Sequence, residues 1–582
     1  MRTPPAASNL GRRAVDLLRR YVPIIEWLPR YERGWLAGDA VAGLSVWALV
    51  VPQSLAYATL AGVPVQYGLY TAFVALAIYP LFGTSRQLVQ GPSAAVCAVS
   101  AAAITPIVGA SALGTQKAVE WTAALALATG ALYVALGLLR LGWVSTFLSK
   151  AVMAGFVLGF AIGIVIDQSH QLLGVPGGDG SYAEELLKTI EQIPDAQLTT
   201  VAVGAGSLGL LLLMRVFVPT WPRMLLVVVL AIAASSAFDL QAHGVAVTGN
   251  VPTGLFSIGL PGVGWSETTA LLVGALSVVF VGYSESLAAA RSMARRHRYE
   301  IDTNQELIAQ GAACAAAGMV GGFASDGSLS KTSVADTAGQ RTQVAALINA
   351  ALVLLTMLFL AGLFETLPAA TLGAIVIDAM IGLITFAELE RYYRVNRADW
   401  LFFMGAGLGI LFLGITQGIL IGVVLSLLLL IWRSSRTSIR ELGRDADTGA
   451  YHDVSRHQGL EAIPGVLVVR VDGPLFFADA DRFRTRLREL AAGMPAARRV
   501  IVDAEAVHLT DTDGADIVAQ VAEELAGDGI ELSFAAVHPP VLALWTRAGV
   551  LDAIGGAENV KDTLDEAIAA PERRPVAGLS DL

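Results

Sequence analysis

A serine and a serine–lysine pair open two stretches in which a chain this apolar has little reason to place polar groups. Ser93 follows "QLVQGP", and Ser330 with Lys331 follows "FASDGSL". In both places an extended, glycine-bearing segment precedes an apolar run, which predicts helices over 93–108 and 330–340 that start inside the membrane. A helix start presents unpaired N–H groups and a positive dipole end, so two of them facing each other make an anion site without many charged side chains. The serines can cap these helices or offer hydroxyls to the anion. Lys331 is one of five lysines among 39 basic residues. A cation at a helix N-terminus opposes the dipole and needs an anion beside it. A bound substrate meets that need; the alternatives are a pair with Asp326 or Asp336, or snorkelling to water.

Glu285, in "VFVGYSESLAAA", stands two-thirds of the way along the apolar run 268–294. An intramembrane carboxylate must pair, bind a cation or carry a proton. Gln53 and Tyr57, four residues apart in "VVPQSLAYATL", share a helix face, and an amide and a phenol can both donate to an oxyanion. Pro52 beside them is expected to break the helix where it passes the cavity. Asp378, in "IVIDAMIG", is read as structural.

These residues need a membrane around them, and the composition supplies one. Of 582 residues 55% are hydrophobic and 15% charged, with mean hydropathy +0.61, values that exclude an ordinary soluble protein. Cys97 and Cys314 lie in apolar, alanine-rich segments and read as small buried hydrophobes. Seven scattered histidines suggest no metal or haem set, and no cofactor is expected. The first 36 residues hold seven arginines and no apolar core, which predicts no cleavable signal. No basic stripe with interleaved aromatics points to nucleic acid.

Apolar runs able to span lipid fall near 37–60, 67–82, 118–139, 147–168, 199–217, 223–238 and 268–294, then 304–322, 342–362, 367–386, 399–414 and 416–433. With the two half-extended segments the count is fourteen. Arginine clusters alternate with it: Arg86, Arg140, Arg215 with Arg223, Arg291 to Arg298, Arg341, and Arg391 to Arg397 fall on one side. The loop 171–198, on the other side, carries five carboxylates. By the positive-inside rule both termini are cytoplasmic in a multi-pass plasma-membrane protein. Seven spans twice over require the second half (267–433) to run inverted relative to the first (37–240), with spans 3 and 10 as half-helices meeting at the site.

Residues 1–36 form a cytoplasmic segment and 434–463 a polar linker. Beyond these, 464–570 read as a soluble α/β domain with strands at 466–471, 499–504 and 531–537, before a tail at 571–582. No catalytic triad or metal set stands in it, and the chain is not expected to be an enzyme. In "LTDTDGAD" Thr512 is a possible phosphate acceptor, though Asp and Thr before a helix are ordinary caps.

At "PQSLAYATLAGVPVQYGLY", "GTSRQLVQGP", "GYSESLAAA" and "GSLSKTSVADTAGQRTQVA" the sequence resembles the SulP anion transporters, the sulfate permease or solute carrier 26 family, over roughly residues 20 to 570. The soluble part is similar to that family's STAS domain, and "LTDTDGAD" to the loop that carries a phosphorylated serine in STAS relatives outside transport. The resemblance implies a core and a gate domain, commonly in a homodimer. It carries substrate binding onto Ser93, Ala94, Ser330 and Lys331, with Gln53 and Tyr57 as first-span contacts and Glu285 as the coupling acid. Many members have arginine where this chain has Lys331.

The expectation is therefore a secondary active carrier taking up sulfate with protons. A dicarboxylate symporter, or a bicarbonate carrier using sodium, fits the same plan. A membrane receptor signalling through its soluble domain would not need polar residues at both half-helix starts. A nucleobase permease would leave Lys331 and the soluble domain unexplained.

Overall fold

The computed structural model describes residues 21–571, apart from 144–148, 178–179, 220, 265–267, 385 and 435–437. All but the first residue of the expected tail at 571–582, and most of the N-terminal segment, lie outside the described residues. The chain divides into two compact units at Leu427/Leu428.

The first unit is helical. Its helices follow the apolar runs closely: α1 (Leu36–Leu60), α2 (Gln66–Phe82), α3 (Ala94–Val108), α4 (Gln116–Leu138), α5 (Lys150–Leu173), α6 (Tyr182–Glu191), α7 (Leu198–Phe217) and α8 (Arg223–Phe238). The second half gives α9 (Thr268–His297), α10 (Thr303–Met319), α11 (Leu329–Thr337), α12 (Val344–Leu355), α13 (Ala369–Ile381), α14 (Phe386–Val395), α15 (Arg397–Leu413) and α16 (Ile415–Ser434). Among the described residues six helices are long and apolar enough to cross a membrane. α1 runs through Pro52 without interruption, contrary to the expected break. One missing backbone donor leaves one carbonyl unpaired, which a helix of 25 residues absorbs.

α6 and α14 are short amphipathic helices in stretches read from sequence as loops. α6 begins with a complete capping box, in which Ser181 accepts from the Glu184 N–H and Glu184 reaches back to the Ser181 N–H. Small residues set how closely other helices approach. A Cβ on Gly130 of α4 would stand 2.6 Å from the Ala315 nitrogen of α10, and one on Gly159 of α5 would stand 2.7 Å from the Gly407 Cα of α15.

Both half-helices are entered through two-residue strands, β1 (Gln90–Gly91) and β2 (Asp326–Gly327), which pair antiparallel with Gln90 opposite Gly327 and Gly91 opposite Asp326. Side chains clamp the approach to β1. The buried Glu306 of α10 accepts from the Thr84 N–H (2.8 Å), the Ser85 N–H (3.0 Å) and the Tyr79 hydroxyl (2.8 Å). Gln343 donates to the carbonyls of Ser85 and Leu88, at 2.8 and 2.9 Å. Buried polar groups so well satisfied hold an irregular segment in place.

The second unit is a six-stranded sheet in the order β4-β3-β5-β6-β7-β8. Its strands are β3 (Ser438–Arg444), β4 (Tyr451–Asp453), β5 (Val466–Asp472), β6 (Arg499–Asp503), β7 (Glu531–Ala535) and β8 (Val560–Lys561). β5 to β8 run parallel, and the helices α17 (Ala480–Gly493), α18 (Thr512–Gly527), α19 (Pro539–Arg547) and α20 (Leu564–Ala569) accompany them. The stretch read as a polar linker contributes β3 and β4, an antiparallel hairpin on the sheet edge. An edge strand needs few apolar residues, so its composition passes for a linker.

Candidate functional site

The β1–β2 pairing brings the N-termini of α3 and α11 side by side, as the sequence predicts. Ser93 is the N-cap of α3, and its hydroxyl accepts from the Val96 N–H at 3.4 Å. At the other helix the cap is Ser328. Ser330 lies in the first turn, exposed, its hydroxyl 3.1 Å from that of Ser328. Reading Ser330 as a cap is thus corrected by two residues, because α11 starts at Leu329. Gly327 packs closely: a Cβ there would stand 2.7 Å from the end of the Leu88 side chain, which would have to shift.

Lys331 is 1% exposed, and its ammonium donates to the carbonyl of Pro92, the residue before the opposite N-cap. The same ammonium lies over the Tyr57 ring, 5.7 Å from its centroid. Of the two acids offered as partners, Asp336 is engaged elsewhere, by Arg296 at 2.6 Å and His297 at 2.5 Å. Asp326 and Glu285 are the carboxyls in electrostatic range of Lys331. Sequence reasoning named Asp326 only as a structural partner, whereas it stands at the centre of the crossing, fully buried.

Gln53, Tyr57 and Ala94 are buried here as well. Among the described residues the Gln53 side-chain oxygen meets no hydrogen-bond donor. No helix-to-helix hydrogen bond runs through that oxygen among the described residues. Glu285 of α9 is only partly covered, so it borders open space. The structure gathers Tyr57, Ser93, Ala94, Glu285 and Lys331 around one crossing, with Gln53 four residues before Tyr57 on α1 and Ser330 exposed in the first turn of α11.

Asp378 is within electrostatic range of Tyr57 and serves as a tie between helices. Arg223 holds one of its oxygens at 3.1 Å, and Arg215 approaches the other at 3.7 Å. Thr512 is far along the chain, in the second unit. It is exposed in the first turn of α18, where Asp511 is the cap and accepts from the Gly514 N–H at 2.8 Å.

Comparison with known proteins matches this architecture to a family. A model described as the sulfate permease family matches residues 36–406, and one described as the STAS domain matches 459–567. The chain belongs to the sulfate permease family. A probable sulfate transporter of Mycobacterium tuberculosis is 32% identical over 555 residues, covering 95% of this chain and 98% of that protein. Human sulfate anion transporter 1 is 30% identical over 633 residues, covering 94% and 89%. The fold is shared with the murine solute carrier 26 family member A9 anion transporter, with a TM-score of 0.87 at 24% identity over 97% of this chain and 95% of that one. This sulfate permease family member is thus an anion transporter embedded in a membrane, and its second unit is a STAS domain. Its family is one of transporters, not enzymes.

Proposed function

We propose that this protein is a proton-coupled carrier that takes up sulfate across the plasma membrane. The observation that carries this reading is the pairing of two half-helix N-termini around a buried lysine and two acids. Sulfate is favoured because a 32% identical relative bears the name of a sulfate transporter.

In this reading Ser93, Ala94 and Ser330 bring backbone and hydroxyl donors to the anion, and Lys331 brings charge. Gln53 and Tyr57 donate from α1. Glu285 holds the coupled proton. The membrane part, 37–433, crosses the bilayer fourteen times as two inverted repeats, with both termini cytoplasmic. Its half-helices rock as a core against the remaining helices, exposing the site to either side in turn. The protein works as a homodimer, and the STAS domain regulates or assembles it.

The test is uptake into proteoliposomes, with sulfate, fumarate and bicarbonate compared under an inward proton gradient. Sulfate should accumulate when the gradient is imposed and only equilibrate without it. Accumulation that follows sodium, or that is confined to fumarate or bicarbonate, would overturn this choice of substrate and ion.

A further inference from the structure

We propose that the coupled proton is held between two carboxyls, Glu285 and Asp326, which makes Asp326 a further residue of the transport site. This rests on the proton-coupled reading above and places the proton more narrowly. Asp326 is fully buried, and its backbone is locked opposite Gly91. Its Cβ lies 3.3 Å from where a Cβ on Gly282 would stand, one helical turn before Glu285. The two carboxyls are within side-chain hydrogen-bonding reach of each other. Among the described residues no N–H or O–H donor meets either oxygen of Asp326 in good geometry. The Ser93 hydroxyl lies close by without being aligned as a donor. The backbone N–H of Asp326 is also near its carboxyl, and a proton on Glu285 adds a third donor within reach.

The surrounding groups are few. They are Glu285 from α9, Lys331 from α11, Tyr57 from α1, Cys97 from α3, Tyr133 from α4 and Cys314 from α10. Buried phenols and thiols stay neutral at physiological pH, so among the described residues Lys331 is the one countercharge beside the pair. Two carboxylates and one ammonium sum to −1, which repels an anion. One proton, bonded to one carboxyl oxygen and shared with the other, brings the sum to zero, and the helix ends and Lys331 can then hold an anion. The proton enters from outside water with the substrate and leaves to cytoplasmic water after it.

A consequence separates the pair from Glu285 acting alone. Asp326→Asn leaves one carboxylate against one ammonium, the same charge as the protonated pair. In the unaltered protein, sulfate binding should weaken roughly tenfold for each pH unit above the midpoint, as one-proton linkage requires. In Asp326→Asn the binding should stay flat over that range and exceed the unaltered protein's at high pH. The measurement is sulfate affinity of the full chain in detergent against pH, with Asp326→Glu expected to restore the slope. An Asp326→Asn profile that keeps the original slope would overturn the pair while leaving Glu285 as the sole proton carrier. A flat profile in the unaltered protein would overturn both. Should Asp326→Asn fail to fold, infrared difference spectra of the unaltered chain between high and low pH decide the matter. A carboxyl or carboxylate band in that difference spectrum that moves on 13C-aspartate labelling supports the pair, and the absence of any aspartate-sensitive band overturns it.

Discussion

The ammonium of Lys331, in the first turn of one half-helix, donates to the carbonyl of Pro92 at the entrance to the other. The residue that should meet the anion is thus also the one that ties the two helix starts together. Lys331→Ala removes a charge-assisted donor, an interaction that contributes about 1.5–3 kcal/mol. Sulfate affinity should fall at least about tenfold. Lys331→Arg keeps the charge but exchanges a compact ammonium for a planar fork, so part of the binding should survive. Titration calorimetry on monodisperse protein checks both, and unchanged affinity in the alanine variant would return Lys331 to a purely structural role.

A second expectation concerns helix approach. At Gly159 a side chain would overlap the Gly407 backbone, so Gly159→Val should prevent α5 and α15 from closing and give little folded protein. Gly206, on an exposed face of α7, has open space around its missing Cβ. Gly206→Ala should be tolerated, or stabilise by up to about 1 kcal/mol. Yield and thermal unfolding in detergent compare the two.

Much of this architecture is legible in the sequence because apolar runs and glycine-bearing breaks are local signals. The starts of α3 and α11 follow from "QLVQGP" and "FASDGSL" alone. The place of Asp326 is not local: it depends on Gly91 and Gly282, each more than forty residues away in sequence. A two-residue strand leaves no periodicity to read. The hairpin β3–β4 was hidden for a different reason, since an edge strand with polar residues looks like a linker until its partner β5 is known. The signal for α6 was present, as serine followed three residues later by glutamate in "SYAE".

In the STAS domain Arg484 lies 2.5 Å from Glu524 through Nη2 and 2.9 Å through Nε, and this hydrogen bonding holds the Glu524 carboxyl below the usual carboxylate range. A carboxyl lowered in the folded state stabilises above its unfolded value, near 4.3, and that contribution is lost as pH falls through the folded value. The pair is partly exposed, so its contribution should be small. Arg484→Ala should therefore lower the stability of this unit modestly at pH 7, and the difference should shrink on acidification below pH 4. Urea unfolding of the isolated unit at both pH values reads this directly.

Membrane orientation can be tested with little background, because Cys97 and Cys314 are both buried. Glu191, in α6, and Ser455, beyond β4, are exposed. In intact cells an impermeant thiol reagent should label Glu191→Cys and should reach Ser455→Cys only after permeabilisation. The reverse pattern would invert the topology, and with it the direction from which the half-helices are entered.

Coupling gives the most demanding test of the site. Glu285→Gln keeps size and hydrogen bonding but leaves Asp326 as one carboxylate facing one ammonium, a neutral pair that takes up no further proton. Sulfate should still bind and exchange across the membrane, and its affinity should no longer fall as pH rises. What should disappear is accumulation, since a carrier that moves no proton cannot draw on a proton gradient. The experiment imposes an inward proton gradient on proteoliposomes and compares net uptake with one-for-one exchange in the same preparation. Exchange retained while concentrative uptake is lost makes Glu285 part of the proton site. Concentrative uptake that survives in Glu285→Gln would mean that the proton travels by other groups. A requirement for sodium in the unaltered protein would make the same carboxyls cation ligands instead.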